Sequence, residues 1–322
     1  MVNILISGYY GFDNIGDESI LRTLVSSLRE HIPDCSLTVL SHNPASTREK
    51  YGVEAVDRMS PMAILRAVKK CDMLISGGGS LLQDVTSSKS LHYYLSIIRC
   101  AEFFHKKVFI YSQGIGPIDR PGNRRAAAAA LKRADGIVVR DERSAALLEE
   151  IGIARDKVVI TADPVIRMKK PDGDVGAEIL RKAGVSLDGR LTVGWAIRER
   201  DTDSRFVKEL LRSIQMMKDK YNAQSVLIPF HYEEDGEVCR HIAAQLPDDT
   251  AVCLNEKYLS EDMLSIIGNM DLLVGVRLHS LIYAAIMGVP LIGISYDPKC
   301  TAFLNSVGLD KLSTKENFTA EL

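Results

Sequence analysis

This 322-residue chain predicts an α/β protein with two Rossmann-like, doubly wound domains. Short, almost wholly apolar runs recur, as in parallel strands covered on both faces, and amphipathic helical stretches separate nearly every pair of them. The length is sufficient for two hydrophobic cores.

In the first half, Val2–Ile6, Ser36–Leu40, Met73–Ile75, Val108–Tyr111, Gly136–Val139 and Val158–Ile160 read as strands. Helical spacing covers Asp17–Glu30, Ser60–Lys70, Ser90–His105, Arg124–Arg133 and Ser144–Ile151. The rhythm breaks over Ile166–Arg190, where Pro171-Asp172-Gly173-Asp174 and Asp188-Gly189-Arg190 flank a short helix pattern. The expected division is an N-terminal domain over 1–168, a linker over 169–190 and a C-terminal domain over 191–322. In the latter, strands fall at Leu191–Ala196, Ser225–Pro229, Ala251–Leu254, Leu272–Val274 and Leu291–Ile294. Helices at Ser204–Lys220, Gly236–Gln245, Ser260–Ile267 and Leu278–Met287 separate them, and Thr314–Leu322 reads as a further helix cut short. Two such domains side by side would leave a cleft at the carboxyl ends of both sheets.

Apolar residues make up 46% of the chain and charged residues 25%, as in ordinary soluble proteins. Forty Lys and Arg against 42 Asp and Glu leave a net charge of −2, which argues against a nucleic-acid partner. No run is long enough to span a bilayer and no charged leader precedes Val2, so a cytoplasmic protein is expected. The six cysteines lack metal spacing, which predicts reduced thiols and no structural metal.

The most informative stretch is Gly275-Val276-Arg277-Leu278-His279-Ser280 with Tyr296-Asp297-Pro298-Lys299 beyond the next strand. Arg277, His279 and Lys299 all follow strand ends, at the mouth of a helix whose first N–H groups are open. That combination suits a small, highly charged anion, a phosphate or a carboxylate. The bland alternative is an ordinary helix start with a surface lysine.

Three glycine elements follow strands in the first domain. Gly8 and Gly11 precede the polar cluster Asp13, Asn14 and Asp17, which is expected to face the cleft. The spacing is not that of a dinucleotide fingerprint, and the second strand ends in Ser41-His42 rather than an acid. Gly77-Gly78-Gly79, with Gln83 and Asp84, forms a loop whose N–H groups suit a sugar hydroxyl or phosphate, unless it serves only close packing. Gln113-Gly114-Ile115-Gly116-Pro117 leads to Arg120, Arg124 and Arg125, any of which suits an anion or plain solvent. Arg140 with Asp141 reads as a loop-fixing ion pair or a ligand contact. Asp163-Pro164 reads as a structural turn, Trp195 as core, and His231 as either structural or substrate-facing.

Taken together, these motifs resemble the polysaccharide pyruvyltransferase family. The likeness is carried by Gly11 to Glu18, Gly77 to Gly79, Gln113 to Pro117, Val139 to Asp141 and Arg277 to His279. It implies the two-domain glycosyltransferase-B fold and transfer of a pyruvyl group from phosphoenolpyruvate to two hydroxyls of one sugar as a cyclic ketal. The nearest branch is the CsaB-type, whose acceptor is N-acetylmannosamine, closed at its 4- and 6-hydroxyls, in a lipid-diphosphate-linked disaccharide of the secondary cell wall polymer. By resemblance, Arg277, Leu278 (through its backbone), His279 and Lys299 bind the donor, with Arg120, or in reserve Arg140, reaching from the first domain. The mechanism then assigns His279 as general acid, and Arg277 and Lys299 as charge neutralisers. Asp13, Asn14, Asp17, Gly78, Gly79 and Asp84 are the acceptor-side candidates. No cofactor or metal is expected, phosphoenolpyruvate being a co-substrate. The lipid-linked acceptor implies peripheral contact with the inner membrane face. Two rivals stand beside this reading: a nucleotide-sugar glycosyltransferase or epimerase on the same fold, and a non-catalytic carbohydrate-binding relative.

Overall fold

The computed structural model describes residues 1–85, 87–199, 202, 204–309 and 313–321. The chain divides into two compact units, Met1–Arg167 and Met168–Leu322.

The first unit has strands β1 (Val2–Tyr10), β2 (Cys35–Ser41), β3 (Glu54–Asp57), β4 (Met73–Ser76), β5 (Lys107–Gln113), β6 (Gly136–Val139) and β7 (Val158–Ile160). Helices α1 (Ile15–His31), α2 (Pro44–Tyr51), α3 (Pro61–Lys70), α4 (Ser88–Phe103), α5 (Pro121–Leu131) and α6 (Glu142–Glu150) connect them. The sheet is parallel throughout, ordered β3-β2-β1-β4-β5-β6-β7. Alternation along β1 shows why its run is almost wholly apolar. Leu5 joins a core with Leu74, Leu95 and Ile110, while Ile4 and Ile6 join another with Leu21, Leu24 and Val39. The strand order reverses between β1 and β4, so the loops after those two strands flank the topological switch point, where ligands bind in open α/β sheets.

The second unit repeats the plan. Its strands are β8 (Thr192–Ala196), β9 (Gln224–Leu227), β10 (Ala251–Cys253), β11 (Leu272–Gly275), β12 (Leu291–Ser295) and β13 (Ser313–Thr314). Its helices are α7 (Val175–Lys182), α8 (Arg205–Tyr221), α9 (Tyr232–Ala243), α10 (Ser260–Gly268), α11 (Leu278–Met287) and α12 (Pro298–Ser306). The sheet order β10-β9-β8-β11-β12-β13 reverses between β8 and β11. Trp195 is core, as expected, at 3% exposure, with its indole N–H donating to Ser225 Oγ at 3.0 Å.

Two expectations need correction. Residues 169–190 are not a free linker: α7 buries Ala177 and Leu180, and its Gly176 N–H donates to Ser265 Oγ of α10 at 2.9 Å. A Cβ on Gly176 would lie 2.3 Å from the Ser265 backbone, so glycine here permits close helix approach. The segment after β13 is a series of turns among the described residues, not the start of a helix, and it buries Phe318 against Phe206. No helix among the described residues is long and apolar enough to cross a membrane.

Candidate active site

In the second unit, parallel pairing aligns Ala196 of β8 with Gly275 of β11, and Gly275 with Gly293 of β12. Three adjacent strands therefore end at a common rim, which carries Arg198, Arg277, Tyr296 and, at the second position of α12, Lys299.

Arg277 is the N-cap residue of α11 and offers no side-chain acceptor to the first-turn N–H groups, its carbonyl alone taking the Ser280 N–H at 3.0 Å. Helices usually begin with Ser, Thr, Asp or Asn, whose oxygen takes a first-turn N–H. Here the N–H of Leu278 precedes the first helical bond, so backbone dipole and guanidinium meet at one point. By contrast α12 is capped by Asp297, whose Oδ1 accepts the Lys299 N–H at 3.0 Å. Lys299 Nζ lies 3.4 Å from Asp297 Oδ2 in a half-open setting. His279 sits one residue into α11, half-buried.

Sequence reasoning missed the carboxylates that hold Arg277. Its Nε donates to Asp235 Oδ2 at 3.0 Å and its second terminal nitrogen donates to Oδ1; Glu234 lies 3.6 Å away. The Asp235 side chain is 1% exposed and Arg277 13%, so this is a buried, two-point pair. The same Oδ2 accepts the His231 N–H at 2.8 Å. His231 caps α9 through Nδ1, which accepts the Glu234 N–H at 3.3 Å, so the neutral ring carries its proton on Nε2. His231 is thus given a structural task. The available signal was the acidic first turn Glu233-Glu234-Asp235 behind a strand-end histidine.

In the first unit, the loops at the switch point are tied internally. Asn14 caps α1, accepting the Gly16 N–H at 3.1 Å, and Asp13, at φ +54°, pairs with Lys50 at 2.9 Å. Asp17 lies in the first turn of α1 beside Gly79: a Cβ there would be 2.9 Å from Asp17 Oδ1. A Cβ on Gly78 would meet Ile20 at 3.0 Å, so Gly78 permits packing on α1. Glu18, not singled out from sequence, is buried, accepting the Gly11 N–H at 2.8 Å and the Tyr51 hydroxyl. Burial pushes its carboxyl up despite these two donors.

The geometry gives Asp84 a bracing role. Its Oδ1 accepts Asp119 N–H at 2.9 Å, and its Oδ2 accepts Arg120 N–H at 3.1 Å and the Asn123 amide at 2.8 Å. Burial pushes the Asp84 carboxyl up, but these donors and the Arg120 charge outweigh it and hold it below the usual range. With three protein donors on two oxygens, it braces the loop that presents Arg120. Arg120 is exposed at the N-cap of α5, another helix without a side-chain cap. Arg140 is 5% exposed and held by Asp163 at 2.9 Å, by Asp141 at 3.6 Å and by Ser80 Oγ at 3.0 Å. That confirms the loop-fixing ion pair and makes Asp163 its buried partner rather than a plain turn residue. Among the described residues no three His, Cys, Asp or Glu side chains converge as a metal site would need, and the six cysteines are free.

The curated relative "Amylovoran biosynthesis protein AmsJ" of Erwinia amylovora is 21% identical, over 97% of this chain and 88% of its own. Among solved structures, a putative UDP-N-acetylglucosamine 2-epimerase of Listeria monocytogenes superposes with a TM-score of 0.67 at 10% identity, covering 98% of this chain and 85% of its own. The ADP-heptose lipopolysaccharide heptosyltransferase II of E. coli does so with a TM-score of 0.52 at 16% identity, covering 91% and 84%. These structural likenesses establish a glycosyltransferase-B-like fold of two parallel-sheet α/β domains. The model of the family described as "Polysaccharide pyruvyl transferase" matches residues 14–298, from the cap of α1 to the start of α12 and so across the Arg277-Leu278-His279 rim, and the chain belongs to that family.

Proposed function

We propose that this chain is a ketal-pyruvyltransferase. It moves the pyruvyl group of phosphoenolpyruvate onto two hydroxyls of one sugar in a growing polysaccharide and releases inorganic phosphate. The observation that carries the reading is Arg277 at the uncapped start of α11, inside the span of the family match. A guanidinium beside open helix N–H groups suits a carboxylate or phosphate of a three-carbon donor.

In the reaction, protonation of the donor's methylene carbon makes an oxocarbenium-like centre at the adjacent carbon, and one sugar hydroxyl adds there. The C–O bond to phosphate then breaks and the second hydroxyl adds to the re-formed cation. Of the two protons the hydroxyls lose, one balances the proton added to the methylene carbon and the other leaves on the phosphate, so donor plus diol gives ketal plus phosphate. Arg277 and Lys299 stabilise the donor's charge, Leu278 contributes its N–H, and His279 is the general acid. From the first unit, Arg120 is the donor contact. Asp13, Asn14, Asp17, Gly78 and Gly79 form the acceptor side, with Asp17 the best placed carboxylate because its helix start faces the Gly79 loop. The acceptor is the 4,6-diol of N-acetylmannosamine in a lipid-diphosphate-linked disaccharide of the secondary cell wall polymer, met at the inner membrane face from the cytoplasm.

Mass spectrometry of that disaccharide after incubation with phosphoenolpyruvate tests this. The expected gain is that of pyruvate less water, with carbon NMR showing the quaternary ketal carbon and phosphate appearing in equal amount. Release of a nucleotide from a nucleotide sugar, with no reaction of phosphoenolpyruvate, overturns it in favour of glycosyl transfer or epimerisation.

A further inference from the structure

Arg198 stands two residues beyond the end of β8, and Tyr296 one residue beyond the end of β12. Between those strands lies β11, the strand that delivers Arg277. Yet Arg198 donates to the Tyr296 hydroxyl at 2.6 Å and lies over its ring, 5.5 Å from the centroid. The Arg198–Tyr296 bond therefore bridges the carboxyl end of β11, directly at the switch point of this sheet.

The charge pattern around that bridge is uneven. Arg277 is matched by Asp235 and Glu234, Lys299 by Asp297, and Lys315 by Glu199 at 3.0 Å. Among the described residues Arg198 has a neutral phenol as its hydrogen-bonding partner and no carboxylate at ion-pair distance. Burial works against its charge, but Tyr296 and, more weakly, Glu234 and Asp235 outweigh it, so the guanidinium stays firmly protonated. A half-buried guanidinium held by a phenol rather than by a carboxylate keeps its charge available to an anionic ligand. The carboxylates beside Arg277 and Lys299 offset part of their charge, so a donor bearing both carboxylate and phosphate is better matched when Arg198 joins those two and Arg120.

We propose that Arg198 is a donor-binding residue and that Tyr296 is the positioning residue that holds its fork over the rim. Arg198 takes one of the donor's two anionic groups, while the start of α11 takes the other. This rests on the donor reading above.

The test titrates phosphoenolpyruvate calorimetrically into wild type, R198A, R198K and Y296F, with ketal formation followed by mass at saturating acceptor. Charge-assisted contacts of this kind set the scale. The Kd for phosphoenolpyruvate is expected to rise about 30-fold or more in R198A, about 10-fold in R198K and roughly 3-fold in Y296F. KM should rise more than kcat falls, and the salt dependence of binding should flatten in R198A alone. If wild type binds the donor and R198A binds it within twofold, the assignment of Arg198 fails and the pyruvyltransferase reading survives. If wild type binds phosphoenolpyruvate no better than a nucleoside diphosphate and forms no ketal, both fail. Should R198A not fold, R198K and R198Q decide by the same criterion.

Discussion

The guanidinium of Arg277 is clamped on the buried carboxylate of Asp235, forty-two positions earlier in the chain. The pair fixes the direction of the three guanidinium N–H groups that remain, and it means that Arg277 cannot be removed without stranding a charge. Arg277→Ala is expected to cost about 3 kcal/mol of stability, because Asp235 stays buried and unpaired. Adding Asp235→Asn should recover most of that in urea melts, yet donor binding should stay lost in the double variant. Recovery of binding with stability would show that Arg277 acts only as a strut.

Asp84 yields a second prediction. Its carboxyl is held below the usual range in the folded protein, so the stability it contributes is present above about pH 4 and is lost as pH falls through the folded value. Asp84→Ala frees the loop that presents Arg120 and takes the acceptor from the part-buried Asp119 and Arg120 N–H groups and from the buried Asn123 amide, for a loss of about 1–3 kcal/mol. Because its oxygens are occupied by protein donors, kcat–pH profiles of Asp84→Asn and wild type should superpose. A shifted acid limb would return Asp84 to the acceptor side.

These two cases also show where sequence reasoning stopped. Doubly covered strands betray themselves as apolar runs, so β1, β5, β8 and β11 were legible, as was the strand-end position of Arg277. The edge strand β3 was not: Glu54–Asp57 is four residues with charged ends, of which Ala55 alone is buried. Helix α2 was missed because only Thr47 and Tyr51 are buried, which leaves no apolar stripe. The partners of the site residues were illegible for a different reason. Asp235 reaches Arg277, and Arg198 reaches Tyr296, only through the strand order β9-β8-β11-β12, a tertiary fact that no local pattern carries. Likewise Asp84 reads as a rim carboxylate until the loop thirty-five residues later closes on it.

Glu18 should reveal itself through pH. Burial raises its carboxyl in the fold, so its contribution to stability is full below the unfolded value near pH 4.5 and is lost as pH rises through the folded one. Glu18→Gln keeps an acceptor for the Gly11 N–H and a partner for Tyr51 but never ionises. The melting temperature of Glu18→Gln relative to wild type is therefore expected to improve from pH 4 to pH 8, while Glu18→Ala should be destabilised throughout. A difference that does not change with pH would mean that Glu18 is ionised in the fold at its ordinary value.

The Gly77–Gly79 loop separates backbone need from ligand contact. Gly79 has φ +87°, and any Cβ there would press on Asp17 Oδ1 at 2.9 Å; Gly78 has no such conformation, and a Cβ there would meet the buried Ile20 Cγ2 methyl at 3.0 Å and Pro164 at 3.5 Å. Gly79→Ala is expected to cost about 1–2 kcal/mol from backbone strain and to turn the Asp17 carboxylate away from its place at the start of α1. Gly78→Ala should cost about 1 kcal/mol from overpacking on Ile20, with no backbone strain and without displacing Asp17. If Asp17 orients the acceptor, Gly79→Ala should raise the acceptor KM and lower kcat with donor binding unchanged, and Asp17→Asn should reproduce that loss without the strain. Equal donor and acceptor effects in Gly79→Ala would instead mark the loop as general scaffolding.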